Sequence, residues 1–557
     1  MAASGDSVLN VVVEAEAPAG ASEQKEEKVH WFDRTGLSAD FSHINLQDPF
    51  NMKQIGTKWY REVRGGTVTF LSMAYIIPMA TGMLGTVIPY KQDITVAVAA
   101  AACIGSILMG VLSNFPFGLA PGVTPMALFT FTMVLGEGVS WEVALTAVFF
   151  SGCIFTITSV LGIRSFLMRI VPRGVSMALG VAVGVFLCFI GFRDMGWVVT
   201  NPSTLVALNF PLTIDTNYDA AKMWLSAGVI VITSVLFVLK VPGAPLFGII
   251  FGTLVAWIEC WATKDDSYFQ YPLGSCGPTF NATQLADAGC HCEVPTKVAE
   301  LAHIDHTLGA FQWDMVTNGT FWIYVITFFY SDVLDSSGTF YAVCKRAGYV
   351  DKFGNLPKGR TNMAFLADAI ASIVGSCLGT STVSTFAESC TGVVDGGRTG
   401  LVAVTVGLWF ALAIPFAPVI SAIPKLATAP ILPIVGALMM QNITDFDWTD
   451  LEEAFPAFAV IVLVPFTFSI PNGIIGGVML WLIIQFLIAP IRILRREDPL
   501  IKFKMIASPV EPTMHQIHDG SLANAPNPWG NDQPNRQVPG LRFARTESDV
   551  EMSQRQP

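Results

Sequence analysis

Long uncharged runs constrain this chain more than any motif. They cover 65–90, 94–136, 143–163, 174–192, 223–239, 241–258, 315–331, 369–387, 399–424, 426–444 and 454–491. A membrane-spanning helix needs about 20 apolar residues. The runs 94–136 and 454–491 are therefore long enough for two crossings each, and the total comes to about twelve to fourteen. Only 13% of the 557 residues are charged, about half the ~25% of a soluble domain, and mean hydropathy is +0.53. In lipid, backbone polar groups must be paired within the protein, which makes the spans helices. The chain reads as an all-α polytopic membrane protein and not as a large soluble enzyme.

Basic residues assign the sides. Lys53, Lys58, Arg61 and Arg64 precede the first run. Arg164, Arg169 and Arg173 share one short loop, and Lys345, Arg346, Lys352, Lys358 and Arg360 another. Arg492, Arg495, Arg496, Lys502 and Lys504 follow the last run. The positive-inside rule puts all four sites, and with them both termini, in the cytoplasm. The start has no basic stretch followed by an apolar core, so the first crossing is expected to direct insertion. Three regions follow: a polar cytoplasmic tail at 1–50, a transmembrane domain at 51–496, and a C-terminal tail at 497–557 too poor in aliphatic residues to build a core. The loop 259–314 then falls outside. It holds Cys260, Cys276, Cys290 and Cys292 and the sequon at Asn281, which fits an oxidising side with a glycosylation acceptor. Three pairings of those cysteines are open. The net charge of −11 argues against nucleic acid as a partner.

Two segments are poor helix formers. "NFPFGLAPGVTPMALF" (114–129) has three prolines and two glycines, and "GSCLGTSTVSTFAESCTG" (375–392) is rich in Gly, Ser and Thr. Irregular backbone at membrane depth survives only where protein or a water-filled cavity surrounds it. Interrupted segments at corresponding places in two halves point to a transporter binding site.

Carboxylates sit beside these features. Asp332 and Asp335 end the otherwise uncharged stretch "GTFWIYVITFFYSDVLD", and Glu388 lies within "STFAESCTG". A carboxylate at the centre of a bilayer helix costs about 2.5–3.5 kcal/mol, and such groups usually mark ion or proton pathways. Asp332 could equally cap a half-helix. Asp335 and Glu388 stand among small polar residues able to line a wet pocket. A desolvated carboxylate is easily protonated, and an ionised one accepts two N–H bonds from a planar heterocycle. One site can thus couple a proton to a nitrogenous ligand. No metal-ligand cluster and no cofactor motif is expected.

The stretch "GTSTVSTFAESCTGVVDGGRTGL" (379–401) closely resembles the purine permeases of the nucleobase:cation symporter family, in the azaguanine-resistance-like branch. "FFYSDVLDSSGTF", "ATAPILPIVGALMM", "EEAFPAFAVIVLVPFTFSIPNGIIGG", "TFLSMAYIIP" and "FGLAPG" resemble its other motifs, in the same order over about residues 55–490. The resemblance implies fourteen helices in two inverted seven-helix repeats, a core and a gate domain, and short extended strands in broken helices three and ten. It implies proton-coupled uptake of adenine, guanine or hypoxanthine, with a proton as the coupling ion, and a homodimer; the plasma membrane is the expected location. The helix-eight acid falls on Asp335 and the helix-ten acid on Glu388. Thr385 and Phe386, beside Glu388, are the further candidates for contact with the base, and Asp332 joins the proton-coupling set. The helix-three motif departs from the family: Met126 stands where the family has Asn, preceded by Pro125, and Met79-Ala80 replaces Val-Asn in the first helix. Other nucleobases such as xanthine, uric acid or uracil are the alternative substrates.

The residues oppose two other classes. A sulfate-permease-type anion transporter would share the topology, but two site carboxylates and a polar tail in place of a soluble regulatory domain oppose it. An intramembrane aspartyl protease would also pair two carboxylates, but its Gly-x-Gly-Asp signature is absent.

Overall fold

The computed structural model describes residues 50–161, 172–201, 203–209, 217–263, 295, 297–300, 304–349, 358–446 and 448–494. The tails, Asn281, Cys276, Cys290 and Cys292 lie outside them, as does the side chain of Cys260.

The described chain is almost entirely helical. Helices α1 (Trp59–Met73) and α2 (Ile76–Leu84) form one broken crossing, followed by α3 (Lys91–Ser113). Strand β1 (Leu119–Pro121) leads into α4 (Val123–Ala127), which runs on as a π-helical stretch, Leu128–Gly136. Then come α5 (Trp141–Val160), α6 (Arg173–Asp194), the hairpin β2 (Val198–Asn201) and β3 (Leu205–Leu208), α7 (Asn217–Val238) and α8 (Ala244–Thr263). The second half opens with α9 (Gly319–Ala347) and α10 (Lys358–Leu378), then β4 (Val383–Thr385) and α11 (Ser389–Val394). It closes with α12 (Gly400–Ala413), α13 (Lys425–Thr428), α14 (Ile431–Met439), α15 (Leu451–Thr467) and α16 (Ile470–Leu494). Among the described residues seven helical stretches are long and apolar enough to cross a membrane unaided. With the broken and shorter segments the crossings number about fourteen, seven on either side of 264–318.

The halves correspond. The second crossing of the first half, α3, packs along α12, the fourth crossing of the second half. Its counterpart α10 packs along α5. Each half also braces the strand of its third crossing in the same way. Ser106 Oγ on α3 accepts from Leu119 N at 2.9 Å and donates to Leu119 O at 3.1 Å. Ser372 Oγ on α10 accepts from Val383 N at 3.0 Å and donates to Val383 O at 2.9 Å. The two strands pair antiparallel, as an inverted repeat requires. Close approach of α3 and α12 depends on small residues: a Cβ on Gly400 would run into the carbonyl of Gly110, and one on Gly110 into that of Gly400.

Crossings α1–α5 and α9–α12 form one packed group. In the other, α6 packs on α14 and α15, α15 on α16, and α7 on α8. Contacts between the groups are sparse, the arrangement of a core and a gate domain. Three local features lie outside the sequence expectations: the break in the first crossing at residues 74 and 75, the π-helical stretch, and the β2–β3 hairpin.

Candidate functional site

The site lies where the two broken crossings meet. Helix α3 stops at Asn114, whose left-handed backbone (φ 54°) turns its N–H onto Gly110 O at 3.2 Å. Pro116 and Pro121 then deny the chain N–H groups needed for a helix, and it runs extended. On the other side Gly379 ends α10 at φ +101°, where a Cβ would collide with Thr307. Two extended pieces inside a membrane would leave backbone groups unpaired, so they pair with each other. Leu119 faces Thr385, Ala120 faces Ser384 and Pro121 faces Val383. Gly122 N donates to Thr382 O at 2.9 Å, and Phe386 N to Gly118 O at 3.1 Å. Gly118 N in turn donates to Ser389 Oγ at 3.0 Å.

Glu388 follows directly on this crossing. Its Oε1 accepts from the hydroxyl of Tyr75 at 2.7 Å. Asp335, half-buried on α9, lies within electrostatic reach of Glu388. One turn further along α9, the hydroxyl of Thr339 meets that of Thr385 at 3.1 Å, tying β4 to the helix that carries Asp335. Met126 and Phe386 are buried in one apolar cluster with Met79, Ala80 and Met83. The residues expected to contact a base therefore form two sets: Asp335, Glu388 and Thr385 as a polar set, Met126 and Phe386 as an apolar one.

Asp332 goes elsewhere. It stands in the middle of α9 and not at that helix's start. It is fully buried toward α10, where Ser372 Oγ lies 3.2 Å from its Oδ2. Four residues on, Ser336 donates to Asp368 Oδ2 at 2.6 Å. The pairs 332–372 and 336–368 run antiparallel across the two helices. Ser372 also holds β4, so this buried polar seam supports the strand from behind.

Sequence reading missed three polar residues that matter here. Asp368 was legible in principle, being a carboxylate inside the apolar stretch "FLADAIASIV". Tyr75 gave no signal, since a tyrosine in an apolar run is ordinary and only the fold brings residue 388 beside it. Glu62 is fully buried and accepts from Thr399 N at 2.9 Å, Thr399 Oγ1 at 2.8 Å and Arg398 N at 3.0 Å. It thereby holds the start of α12, a role read only from the tertiary contacts.

Facing broken segments between a core and a gate group, with carboxylates beside the crossing, define a membrane transporter built from inverted repeats. The profile of the xanthine/uracil permease family, described as a permease family, matches residues 62–476, and the chain belongs to that family. A permease-type protein of Methanocaldococcus jannaschii is 36% identical over 436 residues, covering 78% of this chain and 91% of its own. The guanine/hypoxanthine permease PbuG of Bacillus subtilis is 32% identical (77% of this chain, 91% of its own), and the adenine permease AdeP of Escherichia coli 30% (78% and 88%). These relatives are permeases, and this chain is a nucleobase permease and not an enzyme. Among solved structures, the transmembrane domain of the cyanobacterial bicarbonate transporter BicA superposes with a TM-score of 0.51 at 13% identity, covering 75% of this chain and 97% of its own. That likeness is one of fold.

Proposed function

We propose that this protein is a proton-coupled importer of purine nucleobases, with adenine, guanine and hypoxanthine as substrates, in the plasma membrane with both termini cytoplasmic. The observation that carries the reading is Glu388 beside the β1–β4 crossing, with Asp335 on α9 one turn from Thr339, whose hydroxyl meets that of Thr385 on β4 at 3.1 Å. Two carboxylates suit a ligand rich in N–H donors and repel an anion. Glu388 then serves as the proton carrier, with Asp335 as its partner and Asp332 behind it. No cofactor is needed, because the ion gradient supplies the driving force. Met126 and Phe386 offer an apolar wall to the flat ring. Such a wall discriminates by about 10- to 200-fold, against about 10⁴ or more for a hydrogen-bonding one, so selectivity among purines is loose. The relatives' names support the purine class. The test is an uptake panel in a purine-uptake-deficient host at two pH values, with adenine, guanine, hypoxanthine, xanthine, uric acid and uracil. Uptake of the purines that rises with external acidity supports the proposal. Uptake of uracil or uric acid alone sinks the substrate assignment, and uptake blind to the proton gradient sinks the coupling.

A further inference from the structure

Helix α1 and the segment 388–395 run side by side as an antiparallel seam. At one end Arg64 holds Asp395 with Nε–Oδ2 at 2.6 Å and Nη2–Oδ1 at 2.8 Å. Next, Gly65 and Gly392 meet backbone to backbone: a Cβ on Gly65 would stand 3.0 Å from Gly392 O. Thr391 Oγ1 then lies 3.2 Å from Ser72 Oγ. The last contact is Tyr75 Oη on Glu388 Oε1 at 2.7 Å. Positions 65 and 72 share one face of α1. Tyr75 itself sits in the break between α1 and α2, with its ring only 1% exposed. The break carries the phenol from the seam to the carboxylate.

We infer that Tyr75 is a positioning residue for Glu388, holding one carboxylate oxygen so that the other is presented to substrate and proton. This rests on the reading of Glu388 given above. A carboxylate offers about four acceptor positions, so one phenol leaves room for a ligand. The backbone beside Glu388 is independently fixed, because Ser389 Oγ accepts from Gly118 N. Without Tyr75 the backbone stays in place while the side chain loses its orientation. The titratable groups facing Glu388 are Tyr75 from the first crossing, Asp335 from α9 and Cys390 on its own segment, with Arg346 beyond Cys390.

The experiment uses the full chain in proteoliposomes and the variant Tyr75→Phe. A hydrogen bond to a charged group is worth enough that its loss weakens half-saturation for hypoxanthine by about 10-fold or more. In the absence of any purine, the infrared band of the Glu388 carboxyl, identified by its disappearance in Glu388→Gln, has a titration midpoint that moves by about one pH unit or more. Ser72→Ala removes a neighbouring seam contact and leaves both values unchanged. In the Glu388→Gln background, Tyr75→Phe adds no further loss of purine binding. Should Tyr75→Phe fail to reach the membrane, 3-fluorotyrosine at position 75 keeps the shape, alters the donor and must still move the midpoint. An unmoved midpoint and half-saturation in Tyr75→Phe overturn the inference, as do equal changes in Ser72→Ala. A wild type that handles no purine overturns the proposed function alone, since the ligand-free titration still decides the role of Tyr75.

Discussion

Replacing Glu388 by glutamine separates binding from energy coupling. The volume is kept, and Tyr75 retains a carbonyl oxygen to donate to in place of the carboxylate it bonds at 2.7 Å. The charge-assisted part of that bond is lost, about 1 kcal/mol, which is small beside the roughly 5–15 kcal/mol of a folded protein. Delivery to the membrane is therefore normal. The proton is another matter, because glutamine cannot carry one. With one proton per neutral base, a gradient of one pH unit contributes ~1.4 kcal/mol, and a potential of 100 mV about 2.3 kcal/mol. Together these sustain roughly 500-fold accumulation in the wild type. In Glu388→Gln the internal-to-external ratio falls to about one at equilibrium. Exchange of labelled for unlabelled base continues at saturating concentration, because exchange needs no net proton movement. The assay is labelled hypoxanthine uptake into proteoliposomes under an imposed pH gradient and potential, alongside counterflow. A variant that still concentrates its substrate with normal pH dependence refutes the assignment of Glu388 as proton carrier.

Asp335→Asn weakens purine half-saturation by about 30-fold or more, since truncating a charged partner that the bound base covers costs about 2–5 kcal/mol. Asp332→Asn disturbs Ser372 and the strand behind it, so it lowers the melting temperature more than the affinity. Equal affinity losses at both positions at normal yield contradict this division. Met126→Asn changes the ratio of adenine to hypoxanthine uptake, with lower yield from burying an amide. An unchanged ratio at normal yield removes Met126 from the site. Glu62→Ala leaves three donors at the start of α12 without their acceptor and destabilises by about 3 kcal/mol or more. Thermal melting reads the loss, and half-saturation in the surviving protein is unchanged; a wild-type melting temperature refutes the structural role.

Much of the architecture was legible because lipid makes local composition decisive. An uncharged run of about 20 residues has few alternatives to a spanning helix, so α3, α5 and α12 fell where hydropathy put them, whereas α10 begins well before the run at 369–387 because Asp368 interrupts its apolar stretch. Proline and glycine acted as locally, and the broken segments 114–129 and 375–392 were visible as places where helical hydrogen bonding fails. Where the unpaired backbone would find partners was carried by the family resemblance and not by the local pattern. The break at Ala74 and Tyr75 left no trace, since "TFLSMAYIIP" contains nothing that forbids a continuous helix up to its proline.

The amino-acid sequence by itself determined the class of molecule, the breaks and the presence of costly carboxylates. Tertiary structure alone decided their company. Asp332 and Asp335 are three residues apart on one helix, yet the packing of α10 draws the first into a polar seam with Ser372, while Asp335 lies toward Glu388. Glu62 holds Thr399 across 337 residues of chain, and Tyr75 meets Glu388 across 313. Hydropathy is a property of neighbours along the chain, whereas a hydrogen bond between crossings depends on how whole helices pack, and no local pattern encodes that distance.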